Sequence, residues 1–486
     1  MKKSGSKLNK LSLYATTAIV VGAMIGSGIF KKPAVMADVL GSPELMLLIW
    51  VVAGVITLFG AITNAEIAGM ITETGGQYIY FQKMYGDLTA YLYGWAIFAV
   101  IQTGSIASIT YVFAEYTEYF FVLPRFAADF EKSVYIYIPF IGYIYPLMDI
   151  GVKTLTIFVI MVLSTINYFG VRFGGKIASV FTSAKVIALM ILVAFGFAWG
   201  GGSFDNFTRD AVSVSAQSAG LMGAIVVGLS AAFWSYDGWN NVTYLAGEVR
   251  NPQKNLPKAL GIGMVIVIVS YLLINLAFLY VIPTGEMANS EMIASDVALN
   301  AIGPVGGGFV AAMVMISTFG TSNGTIMASS RVYFAMARKK MFFTPIGRIH
   351  PKFRTPANAL MLQASWASML VLSGSFDQLT DMLIFVSWLF YALGAYGIFV
   401  LRKKMPDNPR PYKVHGYPWL PAIYIIFAGF YVIVTLYNDI FNYINGNVPI
   451  IKSGFGLLLV FIGLPLYYYF KHKYKDKDIK FKIDKL

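Results

Sequence analysis

GAMIGSGIF, residues 22–30, places Gly22, Gly26 and Gly28 in the middle of an apolar run that extends from residue 13 to residue 40. A helix needs about 20 apolar residues to cross a hydrocarbon core of roughly 30 Å, so the run is long enough to span a membrane. Glycine disfavours continuous helix. If the helix unwinds here, its freed amide and carbonyl groups find no partner in lipid, and the open turn must face a substrate, an ion or water in a buried cavity. Close helix packing through small residues accounts for the same glycines equally well.

Working outward from this stretch, similar apolar runs fill the chain. Of 486 residues, 57% are apolar and 13% charged, about half the charged share of a soluble globular domain. Punctuation by charge, Gly and Pro predicts spans at 13–40, 44–70, 87–121, 153–170, 176–200, 218–246, 258–283, 305–337, 357–374, 379–401, 417–440 and 453–470, hence an all-α integral membrane protein of twelve helices. The net charge of +13 lies in the segments between the runs rather than on one soluble face, which argues against a nucleic-acid partner. With the N-terminus inside, 28 of the 37 Lys and Arg fall in cytoplasmic segments, and seven, including Lys31 and Lys32, fall in outer ones. This positive-inside bias places both termini in the cytoplasm. The start resembles a signal peptide, but Lys31 and Lys32 interrupt it, and the first run reads as a retained span. The chain has no cysteine, which excludes disulfides, thiolate metal sites and Cys nucleophiles.

A second irregular stretch, FWSYDGWNN at residues 233–241, buries Asp237 and Gly238 inside the sixth run. An ionisable residue at that depth is costly, so a cavity-facing role is the default, with a structural pairing inside the bundle as the alternative. The two motifs open spans one to five and six to ten. Five spans per block bring the second block in from the opposite side, and interrupted helices at matching positions of inverted halves mark a transporter's midplane binding site. Broken helices offer amides to an anion and carbonyls to a cation; a zwitterionic amino acid carries both charges. In span five, Lys185 lies nine residues beyond Lys176, about 13 Å deeper along a helix. It either snorkels or faces inward, where it could replace a coupling sodium ion or itself titrate.

Further stretches carry a family resemblance: NAEIAGMITETGGQYIYFQKMYG (64–86), SYDGWNNVTYLAGEVRNPQKNLPKAL (235–260), STFGTSNGTIMASSRVYFAMAR (317–338), HPKFRTPANAL (350–360) and RPYKVHGYP (410–418). With GAMIGSGIF they resemble, in order over spans one to eleven, the amino acid, polyamine and organocation transporter superfamily, specifically a bacterial member of its L-type amino acid transporter branch. The resemblance implies a LeuT-type fold of five plus five inverted helices with two more at the C-terminus, and sodium-independent amino acid transport, commonly by exchange. It implies that the amides of Ser27 and Gly28 hold the substrate carboxylate. Carbonyls near Met24 and Ile25, in the break with Gly26, would face the amino group, and Trp234 and Ser235 would add others beside Tyr236 and Asp237. Trp234 would close over the substrate or, alternatively, be a packed aromatic. Asp237 looks like the acidic residue of the branch that exchanges cationic for neutral amino acids. Lys185 matches a lysine that bridges the first and eighth helices, and Asn323 a polar position in span eight that could equally be interhelical glue.

The reading divides the chain into a cytoplasmic N-terminus (1–12), a first repeat (13–200), a second repeat (218–401), two added spans (402–470) and a basic tail (471–486). The expected partners are an amino acid substrate and membrane lipids, with no cofactor and no metal. Animal members bond to a glycoprotein heavy chain through a cysteine between spans three and four. Its absence fits a heavy-chain-free protein of the bacterial cytoplasmic membrane. The outer aromatic stretch YIYIPFIGYIYP predicts an interfacial hairpin. Proton symport is the alternative coupling. An intramembrane enzyme would need converging catalytic groups, but all three histidines lie in cytoplasmic segments or the tail. A sensor that binds without flux would share the same site.

Overall fold

The computed structural model describes residues 10–73, 75–170, 174–209 and 214–474. Most of the N-terminal segment and of the basic tail therefore lies outside the described residues. The principal helices are α1 (Leu13–Met24), α2 (Gly28–Leu40), α3 (Pro43–Met70), α4 (Gln77–Tyr85), α5 (Asp87–Thr117), α6 (Ile150–Phe169), α7 (Gly174–Ala198) and α8 (Val214–Ser235). They continue with α9 (Pro252–Val281), α10 (Ile293–Ile302), α11 (Pro304–Arg338), α12 (Ala357–Ser373), α13 (Phe376–Lys404), α14 (Trp419–Ile444) and α15 (Lys452–Lys473). Among the described residues eleven helices, counting α1 with α2 as one, are long and apolar enough to cross a membrane. The run predicted as the ninth span is the 17-residue α12, shorter than the rest.

Local chemistry sets the helix ends. Ser12 caps α1 and Ser42 caps α3, where Pro43 occupies the first helical position, a site that needs no N–H. Ser375 and Gln378 form a reciprocal capping box at the start of α13.

Helix α5 is the centre of the bundle: 94% of its most apolar window is buried, against 28% for α7 and α14 at the periphery. A π-helical turn, Ile97–Ile101, interrupts α5 just before Gln102. Such turns re-aim the residues that follow, and here those include Gln102 and Ser105, both buried. On the predicted outer side, Ile136–Ile138 and Gly142–Ile144 pair as a small antiparallel hairpin where the aromatic stretch lies. Tyr143 N donates to Pro449 O and Ile451 N to Ile141 O, tying the hairpin to the start of α15.

Two of the motif stretches meet at the opposite end. Glu66 of α3, from NAEIAG, is 1% exposed. Its carboxylate accepts from Arg402 at 3.0 and 2.8 Å and from the Val414 amide at 2.8 Å, with Arg410 Nε at 3.4 Å. Arg410 and Val414 belong to RPYKVHGYP, so this cluster fastens the segment after α13 to α3. Removing one member of a buried ion cluster strands the others, at a cost of roughly 3 kcal/mol or more. Glu66→Ala is therefore expected to lower the thermal unfolding temperature of the detergent-purified protein markedly; an unchanged temperature would show the cluster to be energetically idle.

Candidate functional site

Helix α1 stops at Met24 and α2 begins at Gly28, leaving Ile25–Ser27 unwound. Close packing and unwinding, the two readings of the glycines, both occur. A Cβ on Gly28 would lie 2.6 Å from Ser235 Cα, so the absence of a side chain lets the two breaks touch. Helix α8 ends at Ser235, and Gly238 turns the chain with φ 93, a conformation that L-residues with a Cβ rarely adopt. It leads into a ten-residue 3-10 helix, Trp239–Glu248. The segment before α1 is joined to the C-terminal end of this 3-10 helix, since Leu11 N donates to Glu248 O and Arg250 N to Leu11 O, each at 2.9 Å.

The breaks open onto a small cavity. Of the residues predicted for the site, Met24, Gly26, Ser27, Gly28, Trp234 and Asp237 line it, joined by Ser105 and Ile109 of α5, Asn241 and Thr325. Ile25, Ser235 and Tyr236 are not on its wall.

The backbone groups of the break divide in two. Ile25 N and Gly26 N bond to carbonyls within α1, whereas the amides of Ser27 and Gly28 have no hydrogen-bond partner among the described residues. The Ser27 hydroxyl is also buried without a partner. These groups stand at the N-terminus of α2, where orphan amides and the helix dipole favour an anion. The carbonyls, by contrast, are occupied. Tyr271 of α9 donates to Met24 O at 2.8 Å and shares the same hydroxyl with Ser235 O at 3.1 Å, bridging the two breaks. Lys185 Nζ donates to Ile25 O at 3.2 Å and to Thr321 Oγ1 of α11. A carbonyl has two lone pairs, so Met24 O retains one for a ligand.

Lys185 is 7% exposed and has no carboxylate within ion-pair distance among the described residues. Its ammonium takes the inward position rather than the snorkelling one, tying α1 to α11. Asn323 accepts from Asn167 Nδ2 at 2.6 Å, an interhelical bond between α11 and α6, and is not among the cavity residues. Tyr236 packs in an aromatic cluster with Trp50 and Tyr271.

Lys31 and Lys32, counted with an outer segment, lie inside α2. Lys32 is 1% exposed and donates to Asp377 at 2.7 Å and Thr380 at 2.9 Å; Lys31 reaches Glu115 at 3.0 Å. Partner carboxylates make burial of these cations tolerable. Lys32 also sits over the Phe376 ring, which meets Trp234 edge-on at 6.1 Å.

Sequence reasoning missed Tyr271, Thr321, Thr325, Ser105 and Asn241. Asn241 lay inside the quoted FWSYDGWNN stretch, and Thr321 and Thr325 stand four residues apart on one face of α11. Tyr271 sits in a largely apolar run, between Ser270 and Asn275, and its spacing singled it out from neither.

The chain matches the family described as amino acid permease over residues 11–464. It is 30% identical to the "Serine/threonine exchanger SteT" of Bacillus subtilis (strain 168), over 94% of this chain and 95% of that one. It is 32% identical to the human "b(0,+)-type amino acid transporter 1", over 85% and 80%, and 29% identical to the rabbit (Oryctolagus cuniculus) "Large neutral amino acids transporter small subunit 2", over 94% and 80%.

Proposed function

The chain belongs to the amino acid permease family, and from that premise we propose that it is a sodium-independent secondary transporter that exchanges amino acids across the bacterial cytoplasmic membrane by alternating access. One observation carries the reading: two broken helices face one cavity, with the unpartnered amides of Ser27 and Gly28 on its wall. A carboxylate fits those amides, and the α-ammonium fits the free lone pairs of the Met24 and Trp234 carbonyls. Trp234, on the cavity wall, is the residue that closes over the ligand. Lys185 supplies a fixed positive charge between α1 and α11, which removes the need for a sodium ion there.

We read the eleven long helices together with α12 as twelve spans, arranged as inverted repeats at 13–200 and 218–401 with two added spans at 402–470. Both termini lie in the cytoplasm. No heavy chain is attached by a disulfide, because the chain has no cysteine.

The neutral surroundings of Lys185 favour proton symport as the second reading, since a buried ammonium with no carboxylate partner is a candidate proton carrier. Counterflow in proteoliposomes separates the two. Exchange predicts that uptake of labelled amino acid requires unlabelled amino acid inside; accumulation in empty vesicles under an acid-outside gradient would overturn it.

A further inference from the structure

Helix α1 and the 3-10 helix Trp239–Glu248, the halves of the two broken helices that lie on the side of the N-terminus, are fastened to each other at both ends. At the break, Gly238 approaches α1 so closely that a Cβ there would lie 3.0 Å from Ala23 O. At the far end, Leu11 is bonded through its main chain to Glu248 and Arg250. The two halves are built as one body between the cavity and the face that carries the N-terminus.

Two motif stretches that the binding site leaves unexplained meet on this body. Gly75, Gly76 and Gln77, from the 64–86 stretch, lead into α4, while Asn240, Thr243 and Tyr244 belong to the 235–260 stretch and to the 3-10 helix. Gly75 N donates to Tyr244 O at 3.4 Å. Gly76 has φ 50, and a Cβ on it would lie 2.5 Å from Thr243 Oγ1 and 2.9 Å from the Thr243 carbonyl carbon. The two backbones approach this closely only because glycine stands there.

The Gln77 carboxamide is the hub of the contact, and the residue is 4% exposed. Its Oε1 accepts from the Tyr93 hydroxyl of α5 at 2.7 Å and from Asn240 Nδ2 at 3.3 Å. A phenol has one proton, so Tyr93, which gives its own to Gln77, accepts from the Tyr244 hydroxyl at 2.9 Å. The chain of bonds thus begins and ends on the 3-10 helix, and Tyr93, Asn240 and Tyr244 are all buried. Asn240 precedes Asn241 of the cavity wall, which places the hub between the cavity and the far end at Glu248. Tyr391 of α13 donates to Asp237 Oδ1 at 2.6 Å and holds the start of the same segment beside the cavity.

We propose that Gln77 is a positioning residue of the transport cycle: its carboxamide latches the body formed by α1 and the 3-10 helix onto α4 and α5, and release of substrate toward the N-terminal face requires this latch to part. The proposal rests on the transport reading above. The contact suits repeated opening, because its polar groups are neutral and no buried charges have to be separated. Each donor and acceptor that it frees can bond to the water that enters.

The absence of cysteine allows a direct test. Thr325→Cys places one thiol on the cavity wall of the full-length chain, and its modification by a charged, membrane-impermeant methanethiosulfonate is timed from each face in sealed vesicles of either orientation. Adding Gln77→Leu, which keeps a side chain of similar size but no acceptor, is expected to speed modification from the N-terminal face by at least about tenfold, and to leave or slow that from the opposite face. With Thr325 restored, exchange in proteoliposomes is expected to show KM lowered at the N-terminal face relative to the opposite face, by the same factor for whichever of threonine, leucine and lysine the protein exchanges, because a shift between states acts on every substrate alike. Equal acceleration of labelling from both faces, the mark of a generally loosened fold, overturns the proposal, as do unchanged rates in the folded variant. Should Gln77→Leu not fold, Tyr93→Phe decides by the same readings, since it removes both hydroxyl bonds and keeps the ring that stacks on Phe81. Labelling tests the latch whatever the chain carries, whereas wild type that neither binds nor exchanges any amino acid overturns the transport reading itself.

Discussion

Ser27→Pro is expected to lower amino acid binding and exchange by at least about tenfold, while the amount of folded protein in the membrane stays near wild type. Ser27 has φ −74, which lies within the range proline's ring imposes, so the backbone can accept the substitution. What the substitution removes is one unpartnered N–H of a residue on the cavity wall, together with the buried hydroxyl. A hydrogen bond to a charged group contributes about 1.5–3 kcal/mol, and 1.4 kcal/mol is already a factor of ten. Ser27→Ala removes the hydroxyl but keeps the amide, so it should lose far less. Thermal shift with a saturating amino acid and labelled uptake read both variants. Uptake at wild-type rates in Ser27→Pro would mean that the amides of this break do not hold the substrate.

Lys185→Ala is expected to reduce exchange by more than about tenfold with a smaller loss of expression. Its ammonium joins Ile25 O, in the break, to Thr321 Oγ1 on α11. Removing it leaves the Ile25 carbonyl with only the Thr321 hydroxyl, at 3.3 Å, and loosens the tie between the break and α11. Lys185→Arg keeps the charge but widens the donor fork, and should not restore flux fully. Normal exchange by Lys185→Ala would assign the side chain a purely local packing role.

How much of this was legible in advance depended on the kind of signal. The membrane class and the positions of the long helices follow from apolar runs, because lipid imposes one length and one polarity on any spanning helix. The two breaks were legible because glycine and aspartate are misplaced in such runs. Depth left Lys185 either snorkelling or facing inward, and its bonds to Ile25 O and Thr321 decide for the inward position. The partners of these residues were not legible. Nothing in an apolar run marks Tyr271 as the bridge between the breaks, and Tyr391 lies 154 residues from Asp237. Lys31 and Lys32 read as outer charges because sequence does not reveal that Glu115 and Asp377 fold beside them.

The sequence by itself determined that this chain is helical, that it belongs in a membrane, and where its first and sixth predicted spans depart from helix. Tertiary structure decided the rest of GAMIGSGIF. Of the groups freed in that stretch, the Ile25 carbonyl is taken by Lys185 and the Met24 carbonyl accepts from Tyr271 with one lone pair to spare, while the amides of Ser27 and Gly28 are left open. The physical reason is that unwinding frees every polar group of the turn alike, and only distant helices packed against it select which are satisfied internally and which remain for a ligand.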